Sequence, residues 1–213
     1  EFVKIVIVFF IAALLSNKKD PFRYVSSALF SVVHVLILVL SRDLGGAGIY
    51  CMIYLFMLYI ANRNVLTLVA GAVGGAGAFY LALQVFSHVK IRVQNWLNPW
   101  TDMSNTGYQI TQSLFAIGSG SWFGMGLYQG VPDDIPYVEE DFIFSSICEE
   151  FGTLFGMCLL LVILSCFLMM IKIALKCKAP FYRYAAFGFG VVYIFQIFLT
   201  VGGGIRFIPI TGV

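Results

Sequence analysis

The feature that most constrains this chain is a series of long apolar runs separated by short polar breaks. A membrane-crossing helix needs about 20 mostly apolar residues, and only 11 % of these 213 residues are charged. The runs are apolar on every side instead of alternating with polar residues, which favours helices over an outer-membrane barrel. We therefore predict an all-α, polytopic membrane protein with about six transmembrane helices: Phe2–Leu15, Val25–Leu40, Ile49–Ala61, Leu66–Phe86, Phe142–Ile171 and Tyr184–Val201.

The distribution of Lys and Arg predicts the orientation of these helices. Alternate connections hold eight of the 13 basic residues, and basic loops tend to stay in the cytoplasm. The long polar segment at residues 88–141 is then an extracellular loop within one transmembrane domain that covers residues 1–213. The net charge of +2 is too small to suggest a nucleic-acid partner. The eight residues are Lys18, Lys19, Arg23, Arg63, Lys172, Lys176, Lys178 and Arg183.

Asp141 is the first candidate functional residue, because it closes the polar segment where the fifth span is predicted to begin. One interpretation is structural, since Asp is a favoured helix N-cap and complements the helix dipole. The other is a carboxylate held at the outer membrane surface beside Glu139 and Glu140, where it could act as a general base. The sequence leaves both interpretations open.

Glu1 and Lys4 are a second case, because a spacing of three residues places them on one helix face. They are either a solvated Glu and a Lys that snorkels at the membrane interface, or a charge pair facing a polar cavity that also contains Asp141. Charges within the membrane rarely face lipid. Glu149 is accordingly predicted to extend a polar cavity from Asp141, and Glu150 to pair with another helix.

Three other patterns carry weaker expectations. Asp43 starts the third span and suits an N-cap. The glycines at positions 71, 74, 75 and 77 predict close packing of the fourth helix, since small residues let membrane helices approach. The glycine-rich run 118–126 lacks the Gly-Lys-Ser/Thr ending of a phosphate loop, so we predict a tight re-entrant or interfacial turn. His34 and His88 are isolated and no Cys-x-x-Cys is present, so neither a zinc site nor a disulfide framework is predicted.

Short motifs recur along the chain in a characteristic order: Glu1-Phe-Val-Lys4, Asp43-Leu-Gly45, Arg92, Asn98-Pro99, Gly107-Tyr-Gln109, Gln112-Ser113, Ala116-Ile-Gly118-Ser-Gly120, Asp141-Phe-Ile-Phe144, Glu149-Glu150-Phe-Gly152 and Pro209-Ile-Thr-Gly212. In this order they resemble the SEDS family (shape, elongation, division and sporulation) over nearly the whole chain. Arg42 and Gly46 depart from the family's Pro and Thr around Asp43. Tyr137-Val-Glu-Glu140 replaces the family's Glu-Ala-His-Thr before the aspartate. The resemblance also implies further spans beyond both ends of this sequence.

The resemblance implies an inverting peptidoglycan glycosyltransferase in the bacterial cytoplasmic membrane. Its substrate would be lipid II, a disaccharide peptide linked to undecaprenyl pyrophosphate, and its partner a class B penicillin-binding protein. Asp141 would be the catalytic base, with Glu1, Lys4 and Arg92 binding substrate. A divalent cation, Mg²⁺ or Mn²⁺, is implied, with Asp141 as the candidate metal ligand. Further candidate site residues are Asp43, Gln109, Gln112 and Glu149.

Two other functions fit the same class of protein. A lipid II flippase would need charges along a full transmembrane path, and the cytoplasmic half of the predicted spans is almost free of acidic residues. A non-catalytic scaffold for a cell-wall synthase would bind its partner without using Asp141. Elongation, division and sporulation roles share the same motifs, so the sequence does not separate them.

Overall fold

The apolar runs form helices in the computed structural model, which describes residues 2–102 and 107–210. Within those ranges the chain has no strand, so the all-α prediction is confirmed. Two 3-10 helices, Pro99–Asp102 and Pro132–Asp134, lie between longer elements. The α-helices are α1 Phe2–Ser16, α2 Arg23–Leu40, α3 Leu44–Asn62, α4 Val65–Val85, α5 Ser87–Leu97, α6 Tyr108–Gly120, α7 Ile143–Phe151, α8 Thr153–Lys176 and α9 Pro180–Gly204.

Five of these helices are long and apolar enough to cross a membrane, namely α2, α3, α4, α8 and α9. Very little of α4 and α8 is buried within the protein, as expected for helices whose solvent is hydrocarbon. The chain is therefore a polytopic helical membrane protein. The first predicted span corresponds to α1, which is apolar but has only 15 residues.

The fifth predicted span, Phe142–Ile171, is wrong as a single helix. Gly152 has a φ of 89° and separates α7 from α8. The first N–H groups of α8 have no partner within the helix, and two of them find acceptors in an earlier turn. Thr153 N donates to Ser121 O at 2.9 Å, and Leu154 N donates to Trp122 O at 3.2 Å. The apolar sequence continues through this break, which is why the hydropathy pattern hides it.

The described chain divides into two compact units, and the first comprises Glu1–Ala78 with Leu164–Gln196. Here α1 packs on α2 and α3. The buried face of α1 holds Lys4, Ile7, Val8, Ile11, Ala12 and Leu15, which follow helical spacing.

The prediction that the glycines of α4, in the same unit, allow close helix packing is confirmed only in part. A Cβ at Gly71 would meet the Leu55 side chain, so α4 approaches α3 closely there. Cβ atoms at Gly74, Gly75 and Gly77 would meet nothing within 4 Å. Close helix packing is therefore limited to Gly71 among the described contacts.

The second unit comprises Phe79–Ile163 with Ile197–Val213. Its core cluster is Ala116, Ile135 and Phe142, with Val138 and Ile210 packed against it. The helices α6 and α7 pack on one another in this unit. Residues 88–141, predicted as one long loop, thus contain α6, both 3-10 helices and all of α5 except Ser87.

Candidate functional site

Asp141 lies at the end of a tight turn that leads into α7. Its backbone N–H donates to Tyr137 O at 3.0 Å, and Glu140 N donates to the same oxygen at 3.1 Å. The next residue, Phe142, is only 1 % exposed and belongs to the core cluster of the second unit. Phe142 also occupies the N-cap position of α7. The structure therefore does not make Asp141 the N-cap residue; its backbone is fixed by the turn and by its anchored neighbour, and its side chain is half-buried.

A pair of serines fixes α6 against α7 beside this turn. The hydroxyl oxygens of Ser113 and Ser145 lie 2.6 Å apart, and the Ser113 hydroxyl donates to Gly204 O at 2.9 Å. Both serines are fully buried. Gln109 and Gln112 are half-buried on α6, within four residues of Ser113 along the same helix. Gln109 and Gln112 thus lie on α6, and Asp141 lies just before α7, the helix that packs on α6.

Arg92 is half-buried on α5, and the end of that helix is fixed by Arg206. The guanidinium Nε of Arg206 donates to Trp96 O at 2.7 Å, and its terminal nitrogen donates to Leu97 O at 2.6 Å. In return, the indole N–H of Trp96 donates to Arg206 O at 3.1 Å. The two bonds that Arg206 donates satisfy two of the carbonyls left open at the end of α5.

Glu149 and Glu150 lie in α7 rather than inside a membrane-spanning helix, contrary to the prediction. Glu149 is 7 % exposed, and its Oε1 accepts from Val131 N at 3.3 Å. Its Oε2 is buried without a hydrogen-bond partner among the described residues. Glu150 Oε1 accepts from Tyr128 N at 3.2 Å, so Glu150 holds a loop and does not pair with another helix. Both carboxylates are near the end of α7 that lies away from Asp141.

The remaining predicted site residues belong to the first unit. Lys4 is only 7 % exposed and lies on the buried face of α1, so the interpretation that it snorkels at the lipid interface is wrong. Asp43 caps α3, accepting from Gly46 N at 2.8 Å, as its position predicts. A substrate role for Asp43 stays a prediction. Glu1 lies outside the described residues, and so do residues 211 and 212, the second half of the final motif.

The described side chains do not by themselves form a complete binding site for a divalent cation. Among residues 2–102 and 107–210, no three His, Cys, Asp or Glu side chains gather into a metal-binding group. Mg²⁺ is usually held through one or two carboxylates and substrate phosphates, with several waters retained. Asp141 fits the role of a single protein carboxylate in a site that a phosphate-bearing ligand completes.

Arg206 and Ser145 are structural supports of this region that the sequence analysis missed. Arg206 looks like an isolated basic residue after the last span, and Ser145 is one of two adjacent serines in an apolar run. Their partners lie 110 and 32 residues away along the chain. Neither periodicity nor spacing could have revealed contacts at such separations.

Comparison with known proteins gives a consistent result over the whole chain. The family model described as cell cycle protein, which covers FtsW, RodA and SpoVE, matches residues 1–213. Peptidoglycan glycosyltransferase RodA of Mycobacterium bovis is 32 % identical over 229 residues, an alignment that covers 100 % of this chain and 49 % of the relative. The probable peptidoglycan glycosyltransferase FtsW of Aliivibrio salmonicida is 32 % identical over 225 residues, covering 100 % and 56 %.

Two further comparisons extend this result. Stage V sporulation protein E of Bacillus subtilis is 31 % identical over 221 residues, covering 100 % of this chain and 60 % of the relative. A solved structure of a peptidoglycan synthase complex, described as coordinating polymerization and crosslinking, contains a chain with a TM-score of 0.78 and 22 % identity. That match covers 99 % of this chain and 60 % of the other, and it concerns the fold alone. This chain spans about half the length of the curated relatives it matches.

Proposed function

Because this chain belongs to the cell cycle protein family of FtsW, RodA and SpoVE, which is the SEDS family, we propose that the protein is a peptidoglycan glycosyltransferase. It polymerises lipid II into glycan strands at the outer face of the cytoplasmic membrane. The observation that carries this proposal is the match of relatives named peptidoglycan glycosyltransferase across 100 % of the chain. In the proposed topology, residues 88–141 lie outside the cell.

In the proposed reaction, Asp141 acts as the general base. The acceptor is the 4-hydroxyl of an N-acetylglucosamine unit, and its proton passes to the Asp141 carboxylate as the oxygen attacks the anomeric carbon of the donor. The bond from that carbon to the undecaprenyl pyrophosphate breaks, and its electron pair leaves with the pyrophosphate. An α-linked donor becomes a β-1,4 link by inversion, which a single base can support. General bases contribute roughly 10²–10⁴-fold to such steps.

The placement of Asp141 supports this role. The carboxylate is half-buried, and the Tyr137 turn and the buried Phe142 set its backbone on both sides. Catalytic groups act best when neighbouring packing fixes their position. The carboxylates of Glu139 and Glu140 are exposed, whereas that of Asp141 is half-buried, which singles out Asp141 within this acidic run.

Positive charge is needed where the pyrophosphate departs. We assign this role to Arg92 and Lys4, with Glu1 positioning Lys4 and with Asp43, Gln109 and Gln112 as further substrate contacts. Arg92 is half-buried on a helix whose end is fixed by Arg206, and Lys4 is buried, so neither is a fully exposed cation. Mg²⁺ or Mn²⁺, for which Asp141 is the candidate protein ligand, would add charge of the same sign.

The proposed partner is a class B penicillin-binding protein, which would cross-link the strands that this protein makes. The similar solved chain comes from a peptidoglycan synthase complex in which polymerization and crosslinking are coordinated. That relationship supports a two-enzyme assembly for this protein as well.

Polymerisation of fluorescent lipid II by the purified protein tests the proposal, with and without a class B penicillin-binding protein. We expect glycan strands that a muramidase digests. Translocation of lipid II across a vesicle membrane without any polymer would indicate a flippase instead. Partner binding with neither activity would indicate a scaffold.

A further inference from the structure

The segment Ser121–Val131, which we call the apolar loop, exposes large apolar side chains and contains no charged residue. Phe123 is 83 % exposed and Tyr128 is 86 % exposed. Adjacent apolar side chains on a protein surface mark a site that meets another molecule or a membrane. The exposed large side chains are Trp122, Phe123, Met125, Leu127, Tyr128 and Val131.

The loop is held by its backbone and not by its own side chains. Met125 N donates to Glu149 O at 2.9 Å, and Gly126 N donates to Glu150 O at 3.0 Å. The two glutamate side chains accept from Tyr128 N and Val131 N. The backbone of the loop is fixed while its apolar side chains stay exposed. A loop that folded only for stability would bury those side chains, so this arrangement indicates a contact surface.

The start of the apolar loop is joined to the first turn of α8. Thr153 uses both its N–H and its hydroxyl to bond Ser121 O, at 2.9 Å and 2.7 Å, and Leu154 N bonds Trp122 O. At 1.5 Å per residue, the 24 residues of α8 extend about 36 Å, slightly more than the roughly 30 Å hydrocarbon core. The first turn of a helix that crosses the membrane lies near one bilayer surface, and the attached loop lies at the same depth.

The charge pattern on either side of Val131 agrees with this depth. The chain becomes acidic directly after the loop, and its acidic side chains are exposed: Asp133, Asp134, Glu139 and Glu140. Trp and Tyr favour the boundary between headgroups and acyl chains, whereas carboxylates favour water. The step from apolar to acidic sequence is the pattern expected of a segment that passes from lipid into water.

We propose that the apolar loop is a lipid-binding surface that inserts Trp122, Phe123 and Tyr128 into the headgroup and acyl-chain boundary of the bilayer. Glu149 and Glu150 fix the loop to α7, while Thr153 fixes it to α8, so lipid contact at the loop is coupled to the position of α7. This proposal does not depend on the enzymatic activity proposed above.

Fluorine NMR of the protein in lipid nanodiscs tests this surface directly. Biosynthetic 5-fluorotryptophan gives signals for Trp96, Trp100 and Trp122, and single Trp→Phe variants assign them. Nanodiscs of phosphatidylcholine and phosphatidylglycerol carry a nitroxide at acyl carbon 5, and a parallel sample has a gadolinium chelate in the water. We expect the Trp122 signal to be lost with the nitroxide lipid and kept with the chelate. Trp96, half-buried with its N–H bonded to Arg206, should lose less intensity to the nitroxide than Trp122.

Either of two other results would overturn the proposal. Loss of the Trp122 signal to the aqueous chelate alone means that the loop faces water. Protection from both agents means that protein covers it, whether another segment, a second copy or a partner.

A Glu150 variant in the same nanodiscs tests whether this side chain fixes the apolar loop. Glu150→Ala removes the acceptor of Tyr128 N, and we expect the nitroxide effect on Trp122 to weaken. Glu140→Ala changes an exposed glutamate that does not bond the loop, and it should leave the nitroxide effect on Trp122 unchanged. An unaltered Trp122 signal in Glu150→Ala would show that the Glu150 side chain does not hold the loop at the membrane.

Discussion

The backbone N–H of Asp141 donates to the carbonyl oxygen of Tyr137 at 3.0 Å. Tyr137 itself has a φ of 59°, so the turn closes sharply just before α7. The Asp141 carboxylate therefore lies one residue before the N-cap of that helix, and its position depends on the turn and on burial of Phe142.

We expect Asp141→Asn to abolish the proposed polymerisation of lipid II, with a loss of about 10²–10⁴-fold or more. The amide keeps the size of the side chain but cannot take up the acceptor proton. Glycan formation by the purified protein and its partner measures the effect. Glu140→Gln is the matched control, because it removes a neighbouring exposed carboxylate and should stay active.

The thermal midpoint of Asp141→Asn should remain close to that of the unchanged protein. Near-normal polymerisation by Asp141→Asn would rule out Asp141 as the base. Equal losses in Asp141→Asn and Glu140→Gln would point to the overall charge of the acidic run.

Phe142→Ala should destabilise the second unit and reduce polymerisation together. Phe142 is fully buried in the core cluster, and truncation of such a residue costs about 3–5 kcal/mol. The empty space would also let the Asp141 turn shift. Ile143→Ala changes the adjacent residue, which is 44 % exposed, and should have a much smaller effect on the midpoint of thermal unfolding. If the two variants unfold at the same temperature, Phe142 does not anchor this turn.

Arg206→Gln should loosen the end of α5 and lower the midpoint of thermal unfolding. The change removes two charge-assisted bonds to carbonyl oxygens, and each such bond is worth about 1.5–3 kcal/mol. Lys90→Gln, at an exposed position of the same helix, is the control. Equal midpoints for both variants would show that the two hydrogen bonds of Arg206 do not add to thermal stability.

Gly152→Ala should disrupt the junction between α7 and α8. A residue with a side chain is strained at this φ of 89° by about 1–3 kcal/mol, and its Cβ would overlap Trp122 O. Gly118→Ala should be neutral or slightly stabilising, because Gly118 is helical and a Cβ there meets nothing within 4 Å. Size-exclusion chromatography after a heating series compares the two. A Gly152→Ala protein as heat-resistant as Gly118→Ala would contradict the described junction.

The sequence predicts the fold class and several helix positions because hydropathy is a local property. Predicted spans at Val25–Leu40 and Leu66–Phe86 agree with α2 and α4 to within two residues at each end. The cap at Asp43 was also predictable, since it needs only residues three apart. The break at Gly152 was not, because it depends on one backbone conformation and on acceptors 32 residues away.

The difference between local features and contacts of distant residues also decides which parts of the candidate site the sequence could predict. Motif order identified Asp141 and Arg92, but it could not say that a turn and a buried Phe142 fix the aspartate. It also could not reveal that Glu149 and Glu150 bind a loop, because their partners Val131 and Tyr128 lie 18 and 22 residues earlier. Only burial excludes the snorkelling interpretation of Lys4, and burial depends on the whole packed unit.

The bonds between Trp96 and Arg206 also impose an order of events on synthesis. The two residues are 110 positions apart, so at 5–20 residues per second the ribosome makes Trp96 about 5–20 s before its partner exists. Throughout that interval the end of α5 lacks the bonds that hold it in the finished protein. These bonds therefore form only after α9 has been made, and slower or faster translation through residues 97–206 should change when that happens.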